Sequence, residues 1–127
     1  MGFSDRHSEF RLLIVEDEAL VAMELEDILG DLGYEVLAVC GSVDRALSTI
    51  DDLYGRLNGA IIDANLGGTS ALPVAEALET RQVPFVIASG YSGDEIRRLG
   101  FHCPRIRKPY RREEIQQAVG AMADGGG

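Results

Sequence analysis

The chain has 127 residues, the size of one ordinary domain, and 46% are hydrophobic, enough for one core and too many for a disordered chain. A formal net charge of −9 argues against nucleic acid or an anionic membrane as the main partner. No apolar run reaches the ~18 residues of a membrane span, and the opening MGFSDRHSEFR has no apolar signal-peptide centre and carries Arg6 where a myristoylation signal needs Ser or Thr. The expectation is a cytoplasmic protein. Cys40 and Cys103, far apart and in no ligand spacing, read as reduced thiols. The polar ends, 1–9 and 124–127, read as flexible tails around a domain spanning 10–123.

In chain order, RLLIVE (11–16) is a short β-rich run. Residues 18–32 carry Val21, Leu25, Ile28 and Leu32 at helical spacing, with Gly33 as the stop. EVLAVC (35–40) is a second strand. Ser42 is placed to cap a helix holding Ala46, Leu47 and Ile50. NGAIID (58–63) is a third strand. A glycine-rich loop and a helix follow, with Leu72, Ala75 and Leu78 inward and Pro73 tolerable only in the first turn. PFVIAS (84–89) is a fourth strand. SGDEIRRLG allows little more than two helical turns. CPRIRK (103–108) is a fifth, less apolar strand suited to a sheet edge. Residues 110–123 close the domain as a helix with Ile115, Val119 and Met122 on one face.

Five successive βα units imply an α/β fold, doubly wound, with a parallel sheet covered on both faces. Sites in such sheets form outside the carboxyl ends of the strands, at the topological switch point. Strand one ends in Glu16-Asp17-Glu18, strand three in Asp63, strand four in Ser89 and strand five in Lys108-Pro109. Lys108 is the one lysine beside eleven arginines. With strand order 2-1-3-4-5, Asp17 and Asp63 converge, and Ser89 and Lys108 close the other side.

Clustered carboxylates repel, and a hard divalent cation resolves the repulsion. Mg2+ suits a site with few carboxylates and replaceable waters. A carboxylate can also serve as the nucleophile that forms an aspartyl phosphate. Transfer needs positive charge and donors around the phosphoryl oxygens, which Mg2+, the Lys108 ammonium and the Ser89 hydroxyl can supply. Asp63 is the candidate nucleophile and Asp17 the candidate direct ligand. Glu16 assists, and the Asn65 carbonyl can reach the metal from the loop.

The motifs IVEDE, IIDANL, ASG and RKP, in that order and spacing, resemble the receiver domain of two-component response regulators over about residues 10–122. The resemblance implies a flavodoxin-like (βα)5 fold. It implies phosphoryl transfer to Asp63 from a histidine kinase or a histidine phosphotransfer protein. It also implies an acidic Mg2+ pocket of Glu16 and Asp17, Ser89 as switch hydroxyl, Lys108 as phosphate counter-ion and a cis Lys108–Pro109 peptide.

Two departures stand out. The loop NLGGTS replaces the usual Met-Pro and turn after the phosphorylated Asp. Arg105 occupies the position, three before the Lys, where receivers place a coupling aromatic. PFVIASGY resembles the motif of a mostly alphaproteobacterial group of single-domain regulators nicknamed FAT GUY, with Ile87 and Ser89 replacing Phe and Thr. That group shortens or melts its fourth helix, and several members act in general stress-response signalling. Gly90 leaves room for a phosphodonor, and Tyr91 is the candidate to screen and sense the phosphate.

Seven basic residues in 97–112 form a solvated face or a docking surface around helix four, strand five and helix five. His7 and His102 carry no assigned role. The expected function is a stand-alone phosphoacceptor that binds a protein partner or acts as phosphate sink or shuttle. An enzyme of the haloacid dehalogenase type would need an Asp-x-Asp pair, but Ala19 stands two residues after Asp17. An unphosphorylated receiver-like adaptor is the alternative.

Overall fold

The computed structural model describes residues 10–124. The expected tail 1–9, with His7, and residues 125–127 lie outside them. Five parallel strands form the sheet: β1 (Arg11–Val15), β2 (Glu35–Cys40), β3 (Gly59–Asp63), β6 (Phe85–Ser89) and β7 (Arg105–Arg107), in the order β2-β1-β3-β6-β7. This is the expected 2-1-3-4-5 arrangement. The helices are α1 (Ala19–Asp31), α2 (Val43–Asp52), α3 (Leu72–Thr80), α4 (Gly93–Arg98) and α5 (Arg112–Ala123).

The two-residue strand period builds two cores. Leu12, Ile14, Ile61, Val86, Ala88 and Ile106 pack against α1 and α5. Leu13, Val15, Ala60, Ile62 and Ile87 pack against α2, α3 and α4. Every residue of β3 and β6 is buried, as a parallel sheet covered on both faces requires. Each fully buried Leu or Ile contributes about 1.5–3 kcal/mol.

Several helix faces differ from expectation. On α1 the buried stripe is Ala22, Leu25 and Leu29, one position round from Val21 and Ile28, which are half-buried. The apolar residues of this helix cover more than one stripe, and contact with the sheet selects among them. On α3, Val74 joins Ala75 and Leu78 inside, while Leu72 is half-buried. Pro73 does lie in the first turn. On α2, Ala46 and Ile50 are buried, Leu47 is half-buried, and Ser42 Oγ accepts from Arg45 N–H at 3.2 Å. On α5, Ile115, Val119 and Met122 are buried as expected.

The short α4 is bracketed from both ends. Ser92 and Glu95 form a capping box at its start. At its end Gly100, at φ 101, donates to Arg97 O and Phe101 N–H donates to Ile96 O. That reverse turn ends a helix as firmly as Gly33 does after α1.

The loop after β3 departs from the sequence reading. It is a hairpin of two two-residue strands, β4 (Asn65–Leu66) and β5 (Thr69–Ser70). Gly67 and Gly68 turn it with φ of 61 and 92, both in the left-handed region that a two-residue type I′ turn needs. Asn65 Oδ1 accepts from Gly68 N–H at 2.7 Å and pins the turn.

Candidate functional site

Strand register assembles the site. Val15 pairs with Ile62, and Asp63 pairs with Ala88, so Glu16 and Asp63 emerge side by side at the carboxyl edge. Glu16 and Lys108 follow Ile14 and Ile106 at the two-residue period, and Asp63 follows Ile61, so all three belong to the face covered by α1 and α5. Lys108 Nζ lies 2.6 Å from Asp63 Oδ2 and 3.0 Å from Glu16 Oε1. Carboxylate oxygens of Glu16, Asp17 and Asp63 lie within 4.8 Å of one another. Glu16 and Asp63 are buried, and Asp17 is exposed at the mouth.

Backbone donors orient these acids. Glu18 N–H donates to Glu16 Oε2 at 3.1 Å, and Asn65 N–H donates to Asp63 Oδ1 at 3.1 Å. Glu16 Oε1 is fully buried and accepts no well-aligned hydrogen bond despite its nearness to Lys108. Burial pushes the Glu16 carboxyl up, opposed by Lys108 and the Glu18 amide, and Asp63 adds to the rise. Burial alone would lower Lys108, but its hydrogen bond to Asp63 and its ion-pair contact with the Glu16 carboxylate outweigh that and hold the ammonium above its usual range.

Three carboxylates against one ammonium leave this pocket with two formal negative charges in excess. An oxygen-only donor set with a buried, poorly satisfied carboxylate oxygen fits a hard divalent cation.

The remaining expected residues fall around this centre. Ser89 is buried and directly follows Ala88, the pairing partner of Asp63. Its Oγ accepts from Tyr91 N–H at 2.8 Å, and its carbonyl accepts from Lys108 N–H at 3.0 Å. A Cβ at Gly90 would meet nothing within 4 Å, so Gly90 borders open space. The Lys108–Pro109 peptide is cis. Tyr91 is 40% exposed and is tied by its backbone to Ser89 and to Arg105. His102 is exposed and takes no part.

Three contributors escaped the sequence reading. A Cβ at Gly67 would come within 3.4 Å of Asp17 Oδ2, so the hairpin packs against the acidic mouth. Tyr110, half-buried under α1 and α5, has its hydroxyl pushed upward by burial and then by Glu16, Asp63 and Glu24. Its place directly after Pro109 was the available signal. Arg105 Nη1 donates to the Tyr91 carbonyl at 2.9 Å. Among the described residues, no helix is long and apolar enough to cross a membrane.

No family model matches the chain. It is 32% identical over 117 residues to the two-component response regulator PhoP of Pseudomonas aeruginosa, covering 88% of this chain and 51% of that protein. It is 28% identical over 83 residues to the transcriptional regulatory protein PdtaR of Mycobacterium tuberculosis, covering 65% of this chain and 40% of that protein. The chain thus spans about half or less of the length of these curated relatives. SdrG from Sphingomonas melonis Fr1 superimposes with a TM-score of 0.76 at 39% identity, covering 91% of this chain and 97% of SdrG. The chain belongs to the response regulator receiver domains. The fold is shared further with a response regulator receiver protein from Sinorhizobium medicae WSM419, at TM-score 0.78 and 23% identity over 91% of this receiver and 94% of that chain. As a receiver it is a component of two-component signal transduction.

Proposed function

We propose that this receiver accepts a phosphoryl group on Asp63, with Mg2+, from the phosphohistidine of a histidine kinase or histidine phosphotransfer protein. The carrying observation is the Asp63 carboxylate itself, buried, 2.6 Å from Lys108 and clustered with Glu16 and Asp17. One carboxylate oxygen attacks phosphorus, the P–N bond breaks, and the imidazole leaves with the electron pair and regains a proton from solvent. Glu16, Asp17 and Asp63, with the Asn65 carbonyl, are the residues that would hold Mg2+, whose charge offsets that of the phosphoryl oxygens when bound. Lys108 keeps its proton and pairs with one phosphoryl oxygen. The Ser89 hydroxyl donates to another. Gly90 leaves room for the donor, and Tyr91 screens and senses the group, with Pro109 holding the following turn.

The protein then catalyses only its own phosphorylation and dephosphorylation. It signals in the cytoplasm by phosphorylation-dependent protein binding, or serves as a phosphate sink or shuttle. The existence of a BeF3-activated conformation of SdrG, 38% identical, supports a phosphoryl-sensitive site. PFVIASGY and the six-residue α4 support membership of the FAT GUY group, and through it a place in the general stress response.

Incubation with acetyl phosphate and Mg2+ is expected to give one phosphoryl adduct by intact mass, absent in Asp63→Asn. Beryllofluoride is expected to shift amide resonances at β3, β6 and β7. No adduct and no shift, with Asp63→Asn indistinguishable, would leave an unphosphorylated adaptor. A phosphotransfer profile against the organism's histidine kinases, run in both directions, names the partner and separates sink from shuttle.

A further inference from the structure

Ser89 differs from the rest of the site in how it is held. Glu16, Asp63 and Lys108 belong to the α1–α5 face and restrain one another. Ser89 follows Phe85 and Ile87 at the two-residue period, and those two pack on the opposite face, toward α4. Among the described residues its hydroxyl has one hydrogen-bond partner, the Tyr91 N–H at 2.8 Å. The peptide plane on the far side of Tyr91 has its carbonyl held by Arg105 Nη1 at 2.9 Å, which is the one side-chain hydrogen bond Arg105 makes among the described residues. The guanidinium also lies over the first residue of α4. A Cβ at Gly93 would meet Arg105 Nη2 at 3.8 Å and Nε at 3.9 Å. β7 pairs with β6 alone and forms the edge of the sheet, so its backbone anchors Arg105 to the same strand that delivers Ser89.

We infer that Arg105 is a positioning residue for the Ser89 hydroxyl, acting through the backbone of Tyr91. This rests on the reading of Asp63 as phosphoacceptor. A hydroxyl oxygen that accepts the Tyr91 N–H has its proton directed elsewhere and remains a donor. With the loop 90–92 clasped, that donor is preorganised for a phosphoryl oxygen on Asp63. With the clasp removed, the loop samples other geometries and the hydroxyl must be ordered at each transfer. A phenylalanine at position 105 could not do this, because it offers the carbonyl no hydrogen-bond donor.

The test is a double-mutant cycle in the full chain, with acetyl phosphate and Mg2+. Arg105→Ala is expected to slow phosphorylation at saturating donor by about three- to tenfold, the worth of one hydrogen bond, with Mg2+ affinity unchanged. Arg105→Lys, which retains a donor of similar reach, is expected to recover most of the rate. In a Ser89→Ala background, Arg105→Ala is expected to add no further loss. In the unphosphorylated protein, the Tyr91 amide resonance of Arg105→Ala should move toward its position in Ser89→Ala. A wild-type rate in Arg105→Ala, no recovery by Arg105→Lys, or an equal loss in the Ser89→Ala background overturns the inference. A wild-type protein that takes up no phosphoryl group sinks the Asp63 reading instead, and the amide arm then still judges the link from Arg105 to Ser89.

Discussion

Lys108 and Asp63 form a 2.6 Å ion pair across a strand that lies between them. Asp63 ends β3, Lys108 follows β7, and β6 separates the two in the sheet. The intervening position in the Asp63 row is Ala88, fully buried and paired with both Asp63 and Ile106. A methyl group there lets the lysine stem pass over β6.

That relationship makes Ala88 a test of the site's geometry. Ala88→Val should cost about 1–3 kcal/mol in urea unfolding, the usual cost of overfilling a packed position. It should also slow phosphorylation by acetyl phosphate, because the valine crowds the path from Lys108 to Asp63. An unchanged phosphorylation rate would show that Lys108 takes another route.

Lys108→Ala leaves Glu16 and Asp63, beside Asp17, without their cation. With 24% of the Lys108 side chain exposed, the pair lies between buried and surface cases, so the loss in Mg2+-free urea unfolding should be about 2 kcal/mol. Mg2+ that binds the folded state alone should restore part of it. The melting temperature of the variant should therefore rise more on adding Mg2+ than that of the unsubstituted protein. Equal responses would count against the three carboxylates as the Mg2+ site.

The hairpin offers a matched pair. Gly67 and Gly68 both have positive φ, but only a Cβ at Gly67 approaches Asp17, at 3.4 Å from Oδ2. Either alanine variant should lose about 1 kcal/mol from backbone strain. Gly67→Ala should in addition weaken Mg2+ binding in a calorimetric titration, whereas Gly68→Ala should not. The same Mg2+ affinity in both variants would separate the hairpin from the acidic mouth.

Cys103 gives a pH signature remote from this site. Burial, then the Glu79 carboxylate, pushes its thiol from an ordinary 9.0 to about 11. A raised pKa favours the neutral thiol in the folded state. Its contribution to stability is therefore whole below about pH 9 and is lost as pH rises through about 11. Alkylation of Cys103 at pH 8 should run about a hundredfold slower in the folded protein than in urea. Comparable rates in the two states would contradict the burial of this thiol.

Much of the site was legible because strands advertise their own ends. Apolar runs stop where polar residues begin, so Glu16, Asp17, Asp63, Ser89 and Lys108 could be read as five residues at one edge of a sheet. The hairpin was not legible, since strands of two residues have no period to detect and Gly67-Gly68 reads equally as a loose loop. The face of α1 was not legible either. Val21, Ala22, Leu25, Ile28 and Leu29 surround enough of the helix that only contact with the sheet selects Ala22, Leu25 and Leu29. Gln82 after α3 is similar: it sits at φ 60, a left-handed turn that a glycine would have announced.

By itself, the sequence determined which elements form, in what order, and which chemically active residues stand at their ends. These follow from local periodicity and from what each residue tolerates in a turn. The tertiary structure decided who meets whom: Lys108 with Glu16 as well as Asp63, Gly67 with Asp17, and Arg105 with Tyr91. Those meetings depend on strand register and on the size of the residue between, as with Ala88. Both are properties of the packed sheet, because a contact between distant residues is set by what every intervening strand allows.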